Sequence, residues 1–222
     1  MYQADQLNQV SVPTVVSTLW RKGFKNTLMF GPRPLNQQAV KFVGRAVTVR
    51  TIAVREDLLE AQQRGERDNL QAESVAITGA GDVLVVGMAG ETRTAFMGDI
   101  MTTHLLAKGA AGVVLDGAVS DVAAISEIPL PVFCTGSAAT PFTSHRLVVE
   151  LNCAIDCAGV PVLPGDIIMG DANGVAVIPA HMASEIAETC VERELLEEFV
   201  VEKVRSGAPL AGTYPPDEET LA

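Results

Sequence analysis

GDVLVVGMAGETRTAFMGDIMTTHLLAKGAAGVVLDGAVSD, residues 81–121, holds the pattern from which the fold class follows. Val83 to Val86 is an apolar run of the length a buried strand needs, and a glycine-rich loop follows it. From Met97 to Lys108 the apolar residues recur at helical spacing. Ala111 to Leu115 then supplies a second buried strand, ending in Asp116-Gly117. Strand, glycine loop, helix, strand is the unit of an α/β fold.

On the N-terminal side of this unit, Val40 to Val54 carries β-branched residues in alternation and predicts a strand with one wetter face. The charged, amphipathic segment from Asp57 to Ser74 predicts a helix interrupted at Gly65. Asp5 to Phe24 predicts a helical start, with Ser11 or Thr14 as cap and Gly23 as stop. Downstream, Leu130 to Gly136 and Leu147 to Cys157 are strand candidates, and Asp166 to Met169 and Val175 to Ile178 flank the turn signal GDANG. Ala180 to Ser206 predicts one long helix with Ile186, Val191, Leu195, Phe199 and Val200 on its apolar stripe. A single mixed α/β domain over residues 1–206 results. The tail, 207–222, rich in Pro and Gly, is expected to be extended or partly disordered unless it docks on another subunit.

Composition narrows the function classes. At 222 residues, against roughly 100 to 200 per domain, one core suffices. Sixteen Lys and Arg against 27 Asp and Glu give a net charge of -11, a field that repels phosphate backbones and anionic lipid surfaces. Aromatics are 5%, too few to build a base-stacking surface. Neither nucleic acid nor membrane is an expected partner. With four cysteines and no charged-then-apolar signal segment at its start, the chain is expected to be cytoplasmic.

Several constellations fail on spacing. The glycines of GAGDVLVV precede the strand, whereas a dinucleotide fingerprint needs them between strand and helix, and the later loop has no Gly-Lys-Ser/Thr. Cys153 and Cys157, if on one strand, lie about 13 Å apart by strand rise. That is too wide for one zinc ion with Cys134 and His145, so the thiols read as buried and inert. Ser120 beside Asp121 is no nucleophile elbow. His104, His145 and His181 are dispersed, and only His104 sits on the helix that opens the candidate site. What stands out is Gly98-Asp99 at a predicted helix start, set against Asp116-Gly117 and Asp121 at the end of the next strand. A helix starting near Gly98 aims free N–H groups at an anion. Carboxylates with water between them suit Mg²⁺ or Mn²⁺. The plainer alternative is that Asp99 caps a helix and Asp121 a turn.

Residues 81–125, with VPVLPGDIIMGDANGVAVIP at 160–179, closely resemble the two signatures of the RraA-like family, which includes 4-hydroxy-4-methyl-2-oxoglutarate aldolases and regulators of ribonuclease E activity. The resemblance covers roughly residues 10–205. It implies an α/β/β/α sandwich of the swivelling β/β/α type, assembled as a homotrimer or homohexamer with interfacial sites. For the aldolase branch it implies a lyase that splits a 4-hydroxy-2-oxo acid, or decarboxylates oxaloacetate, through a metal-chelated pyruvate enolate.

By the same resemblance, the backbone of Gly98, Asp99, Ile100 and Met101 binds the substrate carboxylate, Asp121 binds Mg²⁺ or Mn²⁺, and Asp99 holds metal-bound water. Glu194 or Glu197 matches a glutamate that the neighbouring subunit supplies in some members. One departure is evident: Ser120 stands where the aldolases carry arginine. A forked positive charge is replaced there by one neutral donor. Ser120 is therefore carried as a substrate and catalytic contact, and Arg93, in the glycine loop, as a candidate replacement. The competing branch binds proteins such as ribonuclease E and typically lacks the metal aspartate. The family's older methyltransferase label finds no adenosylmethionine glycine loop in this chain.

Overall fold

The computed structural model describes residues 4–36, 40–217 and 220; four positions of the expected tail, 218, 219, 221 and 222, lie outside that range. In chain order the first elements are α1 (Ala4–Leu7), α2 (Val12–Arg21), β1 (Leu28–Met29), β2 (Arg33–Pro34), β3 (Phe42–Ala53), α3 (Glu56–Gln63) and α4 (Leu70–Ile77). Next come β4 (Asp82–Gly87), α5 (Asp99–Ala107), β5 (Gly112–Leu115), β6 (Ala118–Val119), α6 (Val122–Glu127), β7 (Val132–Cys134) and β8 (Gly136–Ser137). The chain closes with β9 (Arg146–Leu151), β10 (Ile155–Cys157), β11 (Val160–Val162), β12 (Ile167–Asp171), β13 (Gly174–Ile178), α7 (Ala183–Arg205) and a helical turn at Leu210–Thr213.

Among the described residues, nine strands make one mixed sheet in the order β1-β13-β12-β3-β4-β5-β7-β2, with β9 also paired to β3. The predicted strand–loop–helix–strand unit is its parallel centre, where Val47 faces Leu84 and Leu84 faces Val113. Alternation sends Val47, Val49, Leu84, Val86, Val113 and Leu115 to one face, under α4, α5 and α6. On the antiparallel half of that face Val43, Ile167, Met169, Ala176 and Ile178 meet α1, α2 and α7. The opposite face, with Val83, Val85, Val114 and Ile168, is covered by the β10–β11 hairpin. Both faces are thus buried, which is why β4 and β5 read as unbroken apolar runs. Helices, large sheet and small β layer stack in that order; the mixed α/β class is as expected, and these are three layers of the α/β/β/α sandwich that the resemblance implied.

The caps follow the sequence as well. Ser11 is the N-cap of α2, and its hydroxyl accepts from Thr14 N at 3.3 Å. Gly23 and Gly65, both left-handed, end α2 and separate α3 from α4.

Two expectations need correction. The run Leu147 to Cys157 is not one strand: the chain breaks at Asn152, left-handed at φ 50°, and changes sheet between β9 and β10. Asn152 N donates to Thr48 O while Thr48 Oγ1 donates to Cys153 O, so Thr48 holds the corner through both its backbone and its side chain. Nor does the predicted stripe of α7 stay buried. Ile186 and Cys190 are fully covered, whereas Leu195 is 62% exposed. The sheet that buries the first half of α7 ends before its second half, where the chain turns back at Ala208 and the Leu210–Thr213 turn packs on the helix.

Close packing at the sheet's small-layer face supplies a stability prediction. A Cβ on Gly170 would overlap the Phe42 ring, lying 2.7 Å from its Cζ. Phe42 is itself buried edge-on against Phe133 at 5.4 Å between ring centroids. Gly170→Ala is expected to destabilise the fold by about 1–3 kcal/mol, the usual cost of overpacking, read as a lowered thermal midpoint. An unchanged midpoint would mean that the ring yields freely.

Candidate functional site

The C-terminal ends of β4 and β5 open into two loops, residues 88–98 and 116–121, at the end of a parallel sheet where α/β folds place their ligands. Three extended segments run side by side there. Phe96 N donates to Ala118 O at 2.9 Å, Ser120 N to Met97 O at 2.9 Å, and Ala95 N to Thr140 O at 3.0 Å. This lacing sets Gly98 against Ser120 and Asp121.

Gly98 is the N-cap of α5 and has no side chain to offer the helix. Thr102 N donates to Gly98 O, so the N–H groups of Asp99, Ile100 and Met101 stand ahead of the first intrahelical bond. An uncapped helix start of this kind receives an anion. The Gly98 backbone also presses on the neighbouring carboxylate. A Cβ added there would fall well inside contact distance of Asp121 Oδ2 and 2.7 Å from Ser120 Oγ.

Asp121 begins α6 in the left-handed region, φ 52°, without capping that helix through its side chain. Aspartate tolerates this conformation better than most residues, at some cost in strain. Its carboxylate accepts from Ser120 Oγ at 2.8 Å and faces a cavity of about 470 Å³. A second cavity, about 300 Å³, shares Ser120 and Ala139 with the first and reaches Gly98 and Met101. Asp99 occupies the first position of α5 rather than its cap. Asp121 thus stands at the N-cap position of α6 with no capping bond from its side chain, and Asp99 stands one residue past the cap of α5.

Among the described residues no group of three or more His, Cys, Asp or Glu is placed to hold a metal. What the site offers is one hard, exposed carboxylate, Asp121, set against the backbone of Gly98, while Asp99 follows Gly98 in the chain and lines neither cavity. That donor set fits Mg²⁺ or Mn²⁺ keeping most of its water, and does not fit zinc.

Other candidates lie elsewhere. Asp116, grouped with Asp99 and Asp121 by sequence, turns inward: it is 4% exposed and accepts from the N–H groups of Met88, Gly90 and Ala158. Burial pushes its carboxyl above the usual range. It braces loops and does not face the cavity. Arg93 is bonded to Glu91 through Nε at 2.9 Å and through its Nη2. Glu194 accepts from Ser11 N at 2.7 Å, and Glu197 pairs with Arg193 at 3.6 Å. His104 lines a separate groove with Val75 and Ile100. Cys134, Cys157 and Cys190 are buried, and burial raises all three thiols, which keeps them protonated.

The far wall, with Gln71, Thr140 and Thr143, escaped the sequence reading. Its signal was there in the small, polar run TGSAATPFT, which follows a parallel strand.

The Arg93 pair makes a pH prediction. The Arg93 hydrogen bond holds the Glu91 carboxyl at about 2, below its ordinary 4.5. A carboxyl lowered in the folded state adds stability above its unfolded pKa, and that stability drains as pH falls toward the folded value. Arg93→Gln is therefore expected to cost at most about 1 kcal/mol at neutral pH. It should shrink the loss of thermal midpoint between about pH 5 and about pH 2. An acid limb identical to the wild type would dismiss the pair as its source.

The family model RraA-like (Aldolase/RraA) matches residues 12–177. A protein of Halalkalibacterium halodurans named "Putative 4-hydroxy-4-methyl-2-oxoglutarate aldolase" is 35% identical over 119 residues, 53% of this chain and 56% of that protein. Protein DlpA of Legionella pneumophila is 30% identical over 178 residues, 80% of this chain and 28% of that protein. The chain thus spans about half of the first relative and less of the second. A solved structure of Streptomyces coelicolor RraAS2, an unusual member of the RNase ES inhibitor RraA protein family, superposes with TM-score 0.79 at 30% identity, covering 88% of this chain and 93% of that one.

Proposed function

Because the chain belongs to the RraA-like family, we propose that it is a divalent-metal-dependent carbon–carbon lyase acting on a small 2-oxo acid. The observation that carries this reading is the seating of the Asp121 carboxylate against the Gly98 backbone, beside the open N-terminus of α5. The aldolase name of the Halalkalibacterium relative supports the reaction class.

In this reading the N–H groups of Asp99, Ile100 and Met101 receive the substrate carboxylate and fix its orientation. Asp121 would hold Mg²⁺ or Mn²⁺, with Asp99 steadying water beside it. The ion, when bound, supplies Lewis-acid stabilisation of the negative charge that develops on the 2-oxo oxygen. Ser120 Oγ, donating to Asp121 Oδ2, keeps that carboxylate turned toward the cavity. In retro-aldol cleavage the water held by Asp99 would take the proton from the 4-hydroxyl as the C3–C4 bond breaks, the bonding pair passing to C3 and the 2-oxo oxygen and the 4-carbon leaving as a carbonyl product. Water held by Asp99 returns a proton to C3, which yields pyruvate. Oxaloacetate would lose CO₂ at the equivalent bond.

Pyruvate release from a panel of 4-hydroxy-2-oxo acids and oxaloacetate, with Mg²⁺ or Mn²⁺ and with a chelator, tests the reading. Chelator-sensitive release from any member supports it, and none from every member ends it. The same reading carries a homotrimer or homohexamer in the cytoplasm, which sedimentation of the full chain and its cellular fractionation would examine. The likeness to the Streptomyces RNase ES inhibitor relative favours a second reading, a regulator that binds a ribonuclease. Saturable binding to ribonuclease E without turnover of any oxo acid would prefer it.

A further inference from the structure

We infer that Thr102, in the first turn of α5, is a positioning residue that aims the Asp99 N–H at the substrate carboxylate. The inference rests on the lyase reading and deepens it. Thr102 has no exposed surface within the single subunit and lines neither of the cavities that meet at Ser120. Neither a substrate nor a second subunit can touch it, so whatever it does for the site passes through the backbone.

Gly98 O accepts twice from this one residue, from Thr102 N at 3.1 Å and from Thr102 Oγ1 at 2.8 Å. That carbonyl and the Asp99 N–H belong to one planar trans peptide unit and point in opposite directions. Holding the oxygen therefore sets the direction of the hydrogen, the first of the three that receive the carboxylate. Two donors on the oxygen also polarise the unit and make the N–H opposite a stronger donor.

The position needs such a hold. The approach of Asp121 Oδ2 leaves no room for a side chain at position 98, and glycine is the residue whose backbone torsions are least confined. Upstream, the same segment is held carbonyl by carbonyl: Gln71 Nε2 donates to Phe96 O, and Ser120 N to Met97 O at 2.9 Å. Thr102 completes the series at Gly98. A threonine hydroxyl that shares a carbonyl in this way slightly weakens the helix that contains it. The bond therefore acts against the fold a little and in favour of the site.

Thr102→Val keeps the shape and removes the hydroxyl, while Gly98 O keeps its bond from the backbone N–H. No buried polar atom is orphaned, so the thermal midpoint is expected to hold or rise. Affinity for pyruvate, titrated calorimetrically on the full-length protein with Mn²⁺ present, should fall about fivefold, the effect of one neutral hydrogen bond. KM for the 2-oxo acid that releases pyruvate should rise by the same factor, with kcat within about twofold of wild type. Mn²⁺ affinity should stay at the wild-type value, because the substitution does not touch Asp121. Thr102→Ser reverses the pattern. It keeps the hydroxyl and deletes a buried methyl, so the midpoint should drop while pyruvate affinity stays within about twofold of wild type. Wild-type pyruvate affinity in the valine variant overturns the inference and leaves the lyase reading standing. So does an equal loss in the serine variant, or a fall in Mn²⁺ affinity alongside that of pyruvate, either of which would make Thr102 a packing residue. A wild-type protein that neither binds pyruvate nor releases it from any 2-oxo acid overturns both.

Discussion

Asp121→Asn is expected to lower metal-dependent pyruvate release at least about a hundredfold, beyond what loss of a group supporting a metal ligand costs. The substitution isolates the charge. Asparagine accepts the left-handed backbone of position 121 as readily as aspartate, so no strain is added to the φ of 52°. Ser120 Oγ can still donate to the amide oxygen in place of Oδ2. The first turn of α6 loses nothing, because the Asp121 side chain does not cap it. The thermal midpoint should therefore hold while Mn²⁺ affinity and turnover fall together. Full activity in this variant would remove Asp121 from the site, and a collapse in stability would make the carboxylate structural.

Gly98→Ala is expected to cost about a hundredfold in kcat as well, by displacement and not by charge, since a misplacement of about 1 Å in a reacting group is worth that much. The backbone at Gly98, φ -126° and ψ -160°, is one any residue adopts, so alanine carries no conformational penalty there. All of the effect must come from the added methyl, which collides with Asp121 Oδ2 and stands 2.7 Å from Ser120 Oγ. Either the carboxylate swings out or the start of α5 retreats, and both separate the two halves of the site. Stability should fall by about 1–3 kcal/mol. Near-wild-type turnover from a folded Gly98→Ala protein would show that this close approach has no part in the chemistry.

These predictions rest on features whose legibility in the sequence differed. The central unit, β4 to β5 with α5 between, was readable because its periods are local and each run lies entirely within one element. Gly98, Asp99 and Asp121 were readable as residues that strand ends and helix starts bring together, whereas Ser120 entered through the family resemblance alone. Which aspartate faces outward was not. Asp116 and Asp121 both follow β5, and only the path of the chain, through β6 and into a left-handed turn, sends one inward and the other to the cavity.

The wall at 136–143 was hidden for another reason. Two-residue strands such as β6 and β8 have no period to detect, and their pairing is a long-range matter of which segments lie side by side. The stripe of α7 failed at Leu195 because a helical period reports which residues share a face, not where the sheet beneath that face stops.

Asp116 has one more consequence. Its single carboxylate is bonded to Met88 and Gly90, in the loop that leads to the site, and to Ala158, in the turn of the β10–β11 hairpin on the other layer. Two segments far apart in sequence are thereby tied by one buried anion into a single cooperative unit of local unfolding, in the sense in which native proteins open by foldons. Neither can open without stranding that charge away from water. The glycine loop, for all its small residues, inherits the opening free energy of the hairpin.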